Sequence, residues 1–359
     1  MAMNDSCEIN EEQMDESKPN LKYSKSSGFY LKTKSEFFAS NDELLKKTLI
    51  QNQLYSSQPK RFNCKICNKK LPQKVDFHSH NIDYVFCEKC SHLNGSFEDT
   101  KAFSEKLYIS EEGKDYSLNY IDKNFSKRTT DIYLPKVDFL ISSLPPKKYE
   151  ILDIGCGSGY FVFASLMRKL SASGIDVSKT MTDFGNHQIF NHFQNSPLKY
   201  TKEDQFFDSI VKSKADIISA IGVIEHLREP HKFFSAFKKS KAKYLYYSVP
   251  MFSLSVALEN AFKNVFPRQL SGGHTHLFTE ISIKKMNELI GVEPIAEWRF
   301  GTDTMDLYRH LIVNLQSNNS SEKMVKFVNK GLGKIIDEIQ AVFDKHHFCS
   351  EIHLIASKL

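Results

Sequence analysis

Beyond residue 150 the chain alternates between two hydrophobic periods. Short apolar runs at 150–154, 172–177, 216–223 and 244–249 read as buried strands, while 160–170, 179–193 and 230–239 repeat apolar residues at helical spacing. A less defined run at 198–201 supplies a third strand between them. Alternating β and α units predict a parallel sheet. After Pro250 the stretch 251–278, with Arg268 and G-G-H-T-H, breaks the alternation. A helix at 281–289, a strand at 295–300, a long helical region at 303–346 and a last strand at 351–357 follow. Upstream, residues 1–20 are polar and acidic without periodicity, which predicts a disordered leader. Residues 40–55 predict a helix opened by a capping box, Ser40 with Glu43, and presenting Leu45, Leu49, Ile50 and Leu54 on one face.

Where the first of these strands ends, three glycines alternate: Gly155, Gly157 and Gly159. A strand, a glycine turn and a helix place bare amides at a helix N-terminus, on the sheet edge where such folds bind ligands. Asp176 closes the second strand, 17 residues past Gly159, where a carboxylate can hold a ribose diol. The fourth strand runs into Glu225-His226. The spacing G-x-G-x-G is not the G-x-G-x-x-G of a dinucleotide site, which argues against a nicotinamide-dependent oxidoreductase.

Composition narrows the picture only a little. The chain has 359 residues, enough for about two domains. A net charge of +5 does not demand a nucleic-acid partner, and the short basic clusters read as solvated helix faces. No signal pattern opens the chain and no run is long and apolar enough for a membrane span, so a cytoplasmic location is expected.

The cysteines change it more. Four of the seven form two C-x-x-C pairs, Cys64/Cys67 and Cys87/Cys90, with 19 residues between the pairs. Two knuckles of two sulfurs each predict a closed tetrahedral zinc site, structural because no position is left for water. His78, His80 and His92 then read as surface histidines. Cys156, between glycines, reads as a small turn residue rather than a reactive thiol.

The run I-L-D-I-G-C-G-S-G-Y-F at 151–161, Asp176 and Glu225-His226 together resemble the S-adenosylmethionine-dependent methyltransferases of the Rossmann-like class. The resemblance covers roughly residues 110–359 and implies an α/β fold, a Rossmann-like seven-stranded sheet with an antiparallel edge. It assigns the amino-acid end of S-adenosylmethionine to Asp153, Gly155, Gly157 and Gly159, the ribose to Asp176 and the adenine to Glu203 or Asp204. It also puts Glu225-His226 where methyl group and acceptor meet. A base there suits an acceptor hydroxyl, whereas a neutral amine needs only alignment. His226, Glu225, His274 and His276 are therefore the catalytic candidates; capping by Glu225 and plain packing by the histidines are the alternatives. Asp303, Asp306 and Arg309 are weaker ones, and Tyr116, Tyr120 and Arg128 are lid candidates.

A four-cysteine unit ahead of such a domain is similar to sugar-modifying methyltransferases, including deoxysugar C-methyltransferases and relatives acting on bacterial surface polysaccharides. The expected organisation is a leader at 1–20, a helical extension at 21–60, a zinc-binding domain at 61–105 and the methyltransferase domain at 110–359. The C-terminal region does not match the second Rossmann-like domain of the C-methyltransferases, which favours O- or N-methylation of a sugar or nonulosonic-acid precursor. The competing expectations are an RNA or protein methyltransferase that grips its substrate with the zinc unit, and a non-catalytic binding protein.

Overall fold

The structure, a computed structural model, describes residues 19–26, 40–108, 124–270 and 273–359. Most of the leader and the lid candidates Tyr116 and Tyr120 lie outside the described residues.

Among the described residues twelve strands form two sheets. In chain order they are β1 (Asn20–Tyr23), β2 (Phe77–Ser79), β3 (Ile82–Phe86), β4 (Leu93–Gly95), β5 (Glu150–Ile154), β6 (Ser171–Asp176), β7 (Leu198–Tyr200), β8 (Ile217–Ile221), β9 (Tyr244–Pro250), β10 (His276–Leu277), β11 (Val292–Phe300) and β12 (Glu351–Lys358). The large sheet has the order β1-β11-β12-β9-β8-β5-β6-β7. Its pairs from β7 to β9 are all parallel, and β12 lies antiparallel between β9 and β11. The strand order turns back at β5, so the carboxyl ends of β5 and β8 diverge around a crevice, where doubly wound sheets place their ligands.

Two differences from the sequence reading concern the N-terminal part. The sheet has eight strands rather than seven, because Asn20–Tyr23, expected to straddle leader and helical extension, pairs parallel to β11. The Trp298 indole N–H then donates to the Ser24 carbonyl at 3.0 Å, and Lys22 lies over the Trp298 ring. Helix α1 (Asn41–Ser56) forms where the pattern placed it, but Ser40 makes no side-chain cap bond. Its buried side is Asn41, Thr48, Asn52 and Tyr55, whereas Leu49 and Ile50 face solvent. The neighbours explain this: Asn41 bonds the Asn264 carbonyl and the Phe266 amide, Asn52 bonds the His80 carbonyl, and Tyr55 bonds the Phe97 carbonyl. A helix that docks on loop backbone buries hydrogen-bonding side chains, because those loop groups need partners.

The small sheet, β10-β4-β3-β2, makes the cysteine unit inseparable from the rest of the molecule. Its edge strand β10 comes from the irregular stretch after β9 and pairs antiparallel with β4. Cys64, Ile66, Val85, Cys87 and Cys90 belong to the same apolar core as Ile154, Val223, Met251 and Phe278. The boundary expected near residue 105 is therefore bridged in space by 276–277.

Candidate functional site

The glycine turn is built as its composition demands. Gly155 and Gly159 have φ of +60° and +74°, where a side chain is strained. A Cβ at Gly159 would stand 2.5 Å from Leu198 Cδ1, and one at Gly155 2.8 Å from Val223 Cγ2. Asp176 faces this turn from the end of β6. One carboxylate oxygen accepts the Gly157 amide at 2.8 Å and the other the Ser178 amide at 2.7 Å, and with the Val177 amide also bonded the carboxylate keeps acceptor capacity to spare. Asp153, inside β5, accepts the Ser219 hydroxyl at 2.7 Å, and burial pushes its carboxyl up to about 7. Cys156 is buried against Gly174, as a small turn residue. Glu203 opens the helix Glu203–Lys212 and pairs with Arg228, just beyond the Glu225-His226 segment, so it reaches the same edge from the β7 side.

The second cluster stands at the end of β8. Gly222, at φ +66°, turns the chain into a single 3-10 turn, Ile224–His226. Glu225 Oε1 is 3.9 Å from His226 Nε2, and the His226 and His274 rings stack with centroids 5.4 Å apart. One ligand atom from each of Glu225, His226 and His274 falls within 4.8 Å of the others. Burial drives all three toward neutrality: Glu225 is pushed up to about 8, His226 down to about 3 and His274 down to about 4. Glu225 Oε2 is buried with no hydrogen-bond partner, whereas His274 Nδ1 meets the Gln269 carbonyl at 3.0 Å. A polar cluster kept dry and incompletely paired is a costly arrangement, of the kind found at functional sites.

His276 does not join this cluster. Its Nδ1 lies 2.9 Å from His92 Nε2, and His92 Nδ1 approaches Ser282. This pair is fully buried where the cysteine unit meets the large domain. The structure places His276 with His92 at this interface rather than in the Glu225–His226–His274 cluster, and His80 and His92 are buried rather than surface residues. The cause is β10, whose pairing with β4 turns His276 toward the cysteine unit.

Asp303, Asp306 and Arg309 are also buried, and here both carboxylates are partnered, although Arg309 Nε is not. Asp303 accepts the Ser253 hydroxyl and the backbone amides of Ser255 and Ser350. Asp306 is paired with Arg268 at 2.8 Å and Arg309 at 3.2 Å. Glu259 accepts the amides of Arg268, Gln269 and Leu270, so this ionic knot fixes the strand of chain whose Gln269 carbonyl orients His274. These residues position the site from behind.

Three side chains at the same edge escaped the sequence reading. Glu351 and His353 alternate along β12, with His353 between Glu351 Oε1 and the Tyr246 hydroxyl, each at 2.9 Å. Glu351 would be raised by burial, but the hydrogen bond from His353 and the charges of His353, Lys136 and Lys25 hold it well below the usual carboxylate range. Lys136 is buried and its charge acts on Asp153, Glu225 and Glu351. Two polar residues on one face of an apolar strand are the signal that marks Glu351 and His353 (Lys136 carries none). Arg128 lies over the Tyr160 ring at 5.2 Å, next to the glycine turn. A separate cavity of about 370 Å³, lined by Leu49, His78, His80, Asp83 and Lys263, shares no residue with these clusters.

The four cysteine sulfurs lie within 4.8 Å of one another, with Cys64–Cys90 at 3.6 Å and Cys67–Cys87 at 3.5 Å. A tetrahedral thiolate site with metal–sulfur bonds of about 2.3 Å has sulfurs about 3.8 Å apart, so the cage fits such a metal. The two knuckles match: Cys64 accepts the Asn68 amide and Cys87 the Ser91 amide, and Asn68 and Ser91 both have positive φ. Asn94 Nδ2 reaches Cys64 Sγ at 3.7 Å. Asp99 ties the knuckle to the other site: it bonds Arg61 and Lys65 on one oxygen and the Thr275 hydroxyl, beside His274, on the other.

The chain is similar to known proteins in sequence and in fold. Residues 125–297 match the family described as a methyltransferase domain. The ubiquinone biosynthesis O-methyltransferase of Coxiella burnetii is 23% identical over 128 residues, 31% of this chain and 53% of the relative. The chain thus spans about half the length of the curated relatives it matches. Among solved structures, magnesium protoporphyrin IX methyltransferase from Synechocystis, with bound SAH, superposes with a TM-score of 0.45 at 13% identity, covering 72% of this chain and 100% of the other. Phosphoethanolamine N-methyltransferase 2 from Haemonchus contortus, with S-adenosyl-L-methionine, gives a TM-score of 0.42 at 14% identity, covering 74% and 62%. The glycine turn, the strand order and the match over residues 125–297 give the chain an α/β methyltransferase fold with a mostly parallel central sheet.

Proposed function

We propose that the protein transfers a methyl group from S-adenosylmethionine to an oxygen or nitrogen of a small carbohydrate acceptor, a sugar or nonulosonic-acid precursor of a bacterial surface glycan. The observation that carries this reading is the convergence, on one sheet edge, of the three-glycine turn with Asp176 and the Glu225–His226–His274 cluster. Asp153 and the amides of Gly155, Gly157 and Gly159 hold the amino-acid end of the cofactor, and the free lone pairs of Asp176 hold the ribose hydroxyls. Glu203, with Arg228, closes the adenine side. With the cofactor bound, the acceptor's lone pair would attack the methyl carbon in line, the carbon–sulfur electrons would return to sulfur, and the acceptor's proton would leave to water or to the Glu225–His226–His274 cluster. Alignment is the main requirement of such a displacement.

A small acceptor is supported by the way the cysteine unit walls the site. The β4–β10 pairing and the Asp99–Thr275 bond bring it against the His274 loop. In this reading the four thiolates hold a structural zinc whose task is to keep that wall in place. The polar groups gathered here, Lys136, Glu351 and Glu225, suit an acceptor rich in hydroxyls.

The test is methyl-labelled S-adenosylmethionine incubated with the protein and, separately, with deproteinised small-molecule, RNA and protein fractions. Label in a small anionic sugar or nucleotide sugar is the expected outcome. Label confined to RNA or protein would make the zinc unit a grip for a macromolecule and overturn the carbohydrate reading. Tight S-adenosylhomocysteine binding without label in any fraction would point to a binding protein.

A further inference from the structure

We propose that Glu225, His226 and His274 bind a divalent metal ion, separate from the four-cysteine site, which anchors the acceptor oxygen. The three side chains are one carboxylate and two imidazoles, converging within 4.8 Å from two different segments, the turn after β8 and the loop before β10. Three ligands around an ion at about 2.1 Å stand about 3.0–3.5 Å apart, so the observed 3.9 Å between Glu225 Oε1 and His226 Nε2 closes by a small side-chain rotation.

Two independent features point to an ion. Glu225 Oε2 is buried without a hydrogen-bond partner, although the side chain is only 5% exposed. A carboxylate oxygen left bare in a dry site is costly unless a cation meets it. On the other side of the cluster, His274 Nδ1 faces the Gln269 carbonyl, so Nδ1 carries the hydrogen and Nε2 keeps the lone pair. Gln269 is itself fixed, by bonds to the Met251 and Ser350 carbonyls and by Glu259. An imidazole held through its far nitrogen by a rigid carbonyl is the outer-shell arrangement of metal-ligating histidines.

Three protein ligands leave coordination positions open. His226 retains 20% side-chain exposure, so the cluster is not sealed from solvent. An acceptor hydroxyl on the ion loses its proton to water more readily, and the resulting oxygen attacks the methyl carbon as the carbon–sulfur electrons return to sulfur. The ion thus selects an oxygen acceptor over an amine. This consequence rests on the methyl-transfer reading; the metal site itself does not.

The test is cobalt(II) binding to the purified, zinc-loaded full-length chain, read by metal analysis and visible absorption. The expected result is one cobalt per chain beyond the zinc, with bands of oxygen and nitrogen ligation and no thiolate charge transfer. His274→Ala and Glu225→Gln should each weaken that cobalt 10- to 100-fold while leaving the zinc content unchanged. Retained zinc and an unaltered thermal transition show that the variants are folded. Saturation at the zinc alone, or a second ion bound equally by both variants, would overturn the proposal. Intact cobalt binding with no label in any acceptor fraction would sink the functional reading but not this site.

Discussion

Two buried polar clusters sit back to back in this molecule, and they differ in one respect. In the Asp303–Asp306–Arg309 knot each carboxylate has charged or hydrogen-bonding partners, and Arg268 and Arg309 hold Asp306 well below the usual carboxylate range against the upward pull of burial. In the Glu225–His226–His274 cluster burial dominates, and a carboxylate oxygen has no partner. Both looked alike as residue types in the sequence. In the proposed reading the cluster whose carboxylates are partnered serves stability and the one with a bare carboxylate oxygen serves chemistry, because a buried polar group without a partner is costly.

The sharpest way to break that comparison lies in paired substitutions. Asp306→Asn leaves Arg268 and Arg309 without their countercharge and should cost about 3–5 kcal/mol in denaturant unfolding. Glu225→Gln should leave the unfolding midpoint unchanged or raised, while methyl transfer falls at least about 100-fold. Equal destabilisation by both would erase the distinction. Next in size, Cys64→Ser or strong chelation should release the metal and loosen 61–105 together with the β10 loop, since they share one core. Limited proteolysis before and after chelation reads this, and an unaltered cleavage pattern would contradict it.

The pH response should have opposite signs in the two clusters. Glu225 is raised from 4.5 to about 8, so its contribution is fully present below the ordinary value and is lost as pH rises through about 8. Asp306 is lowered from 3.8, so its contribution is present above that value and is lost only as acid reaches the lower one. Thermal midpoints across pH 4 to 9 for the wild type and Glu225→Gln check the first: the variant should lose part of the alkaline decline. The smallest effect is expected at Ser40→Ala, below about 0.5 kcal/mol, because the serine makes no cap bond.

What the sequence disclosed was chemistry written in short range. The glycine turn, Asp176 and the two cysteine knuckles are each set by spacing within a few residues, and each lies where that spacing placed it. The helices and strands from 150 to 250 were equally legible, because their apolar periods are long and regular. Misreadings arose where a distant segment decides the environment. The face of α1 is chosen by loop carbonyls from 28 to 223 residues away, and the position of His276 by β4, about 180 residues earlier. A strand as short as β1 has too few residues to show a period. Glu351 and Lys136 act at the site through long-range proximity, which leaves little trace in local pattern.

The central claim is that the cluster after β8 and the glycine turn form one catalytic edge. It is tested most directly by measuring labelled-methyl transfer to the small-molecule fraction by wild type and Glu225→Gln, with cofactor affinity determined for both. The account predicts label in a small polar acceptor for the wild type, and loss of that label with cofactor affinity unchanged in the variant. Equal labelling by the two proteins would contradict it.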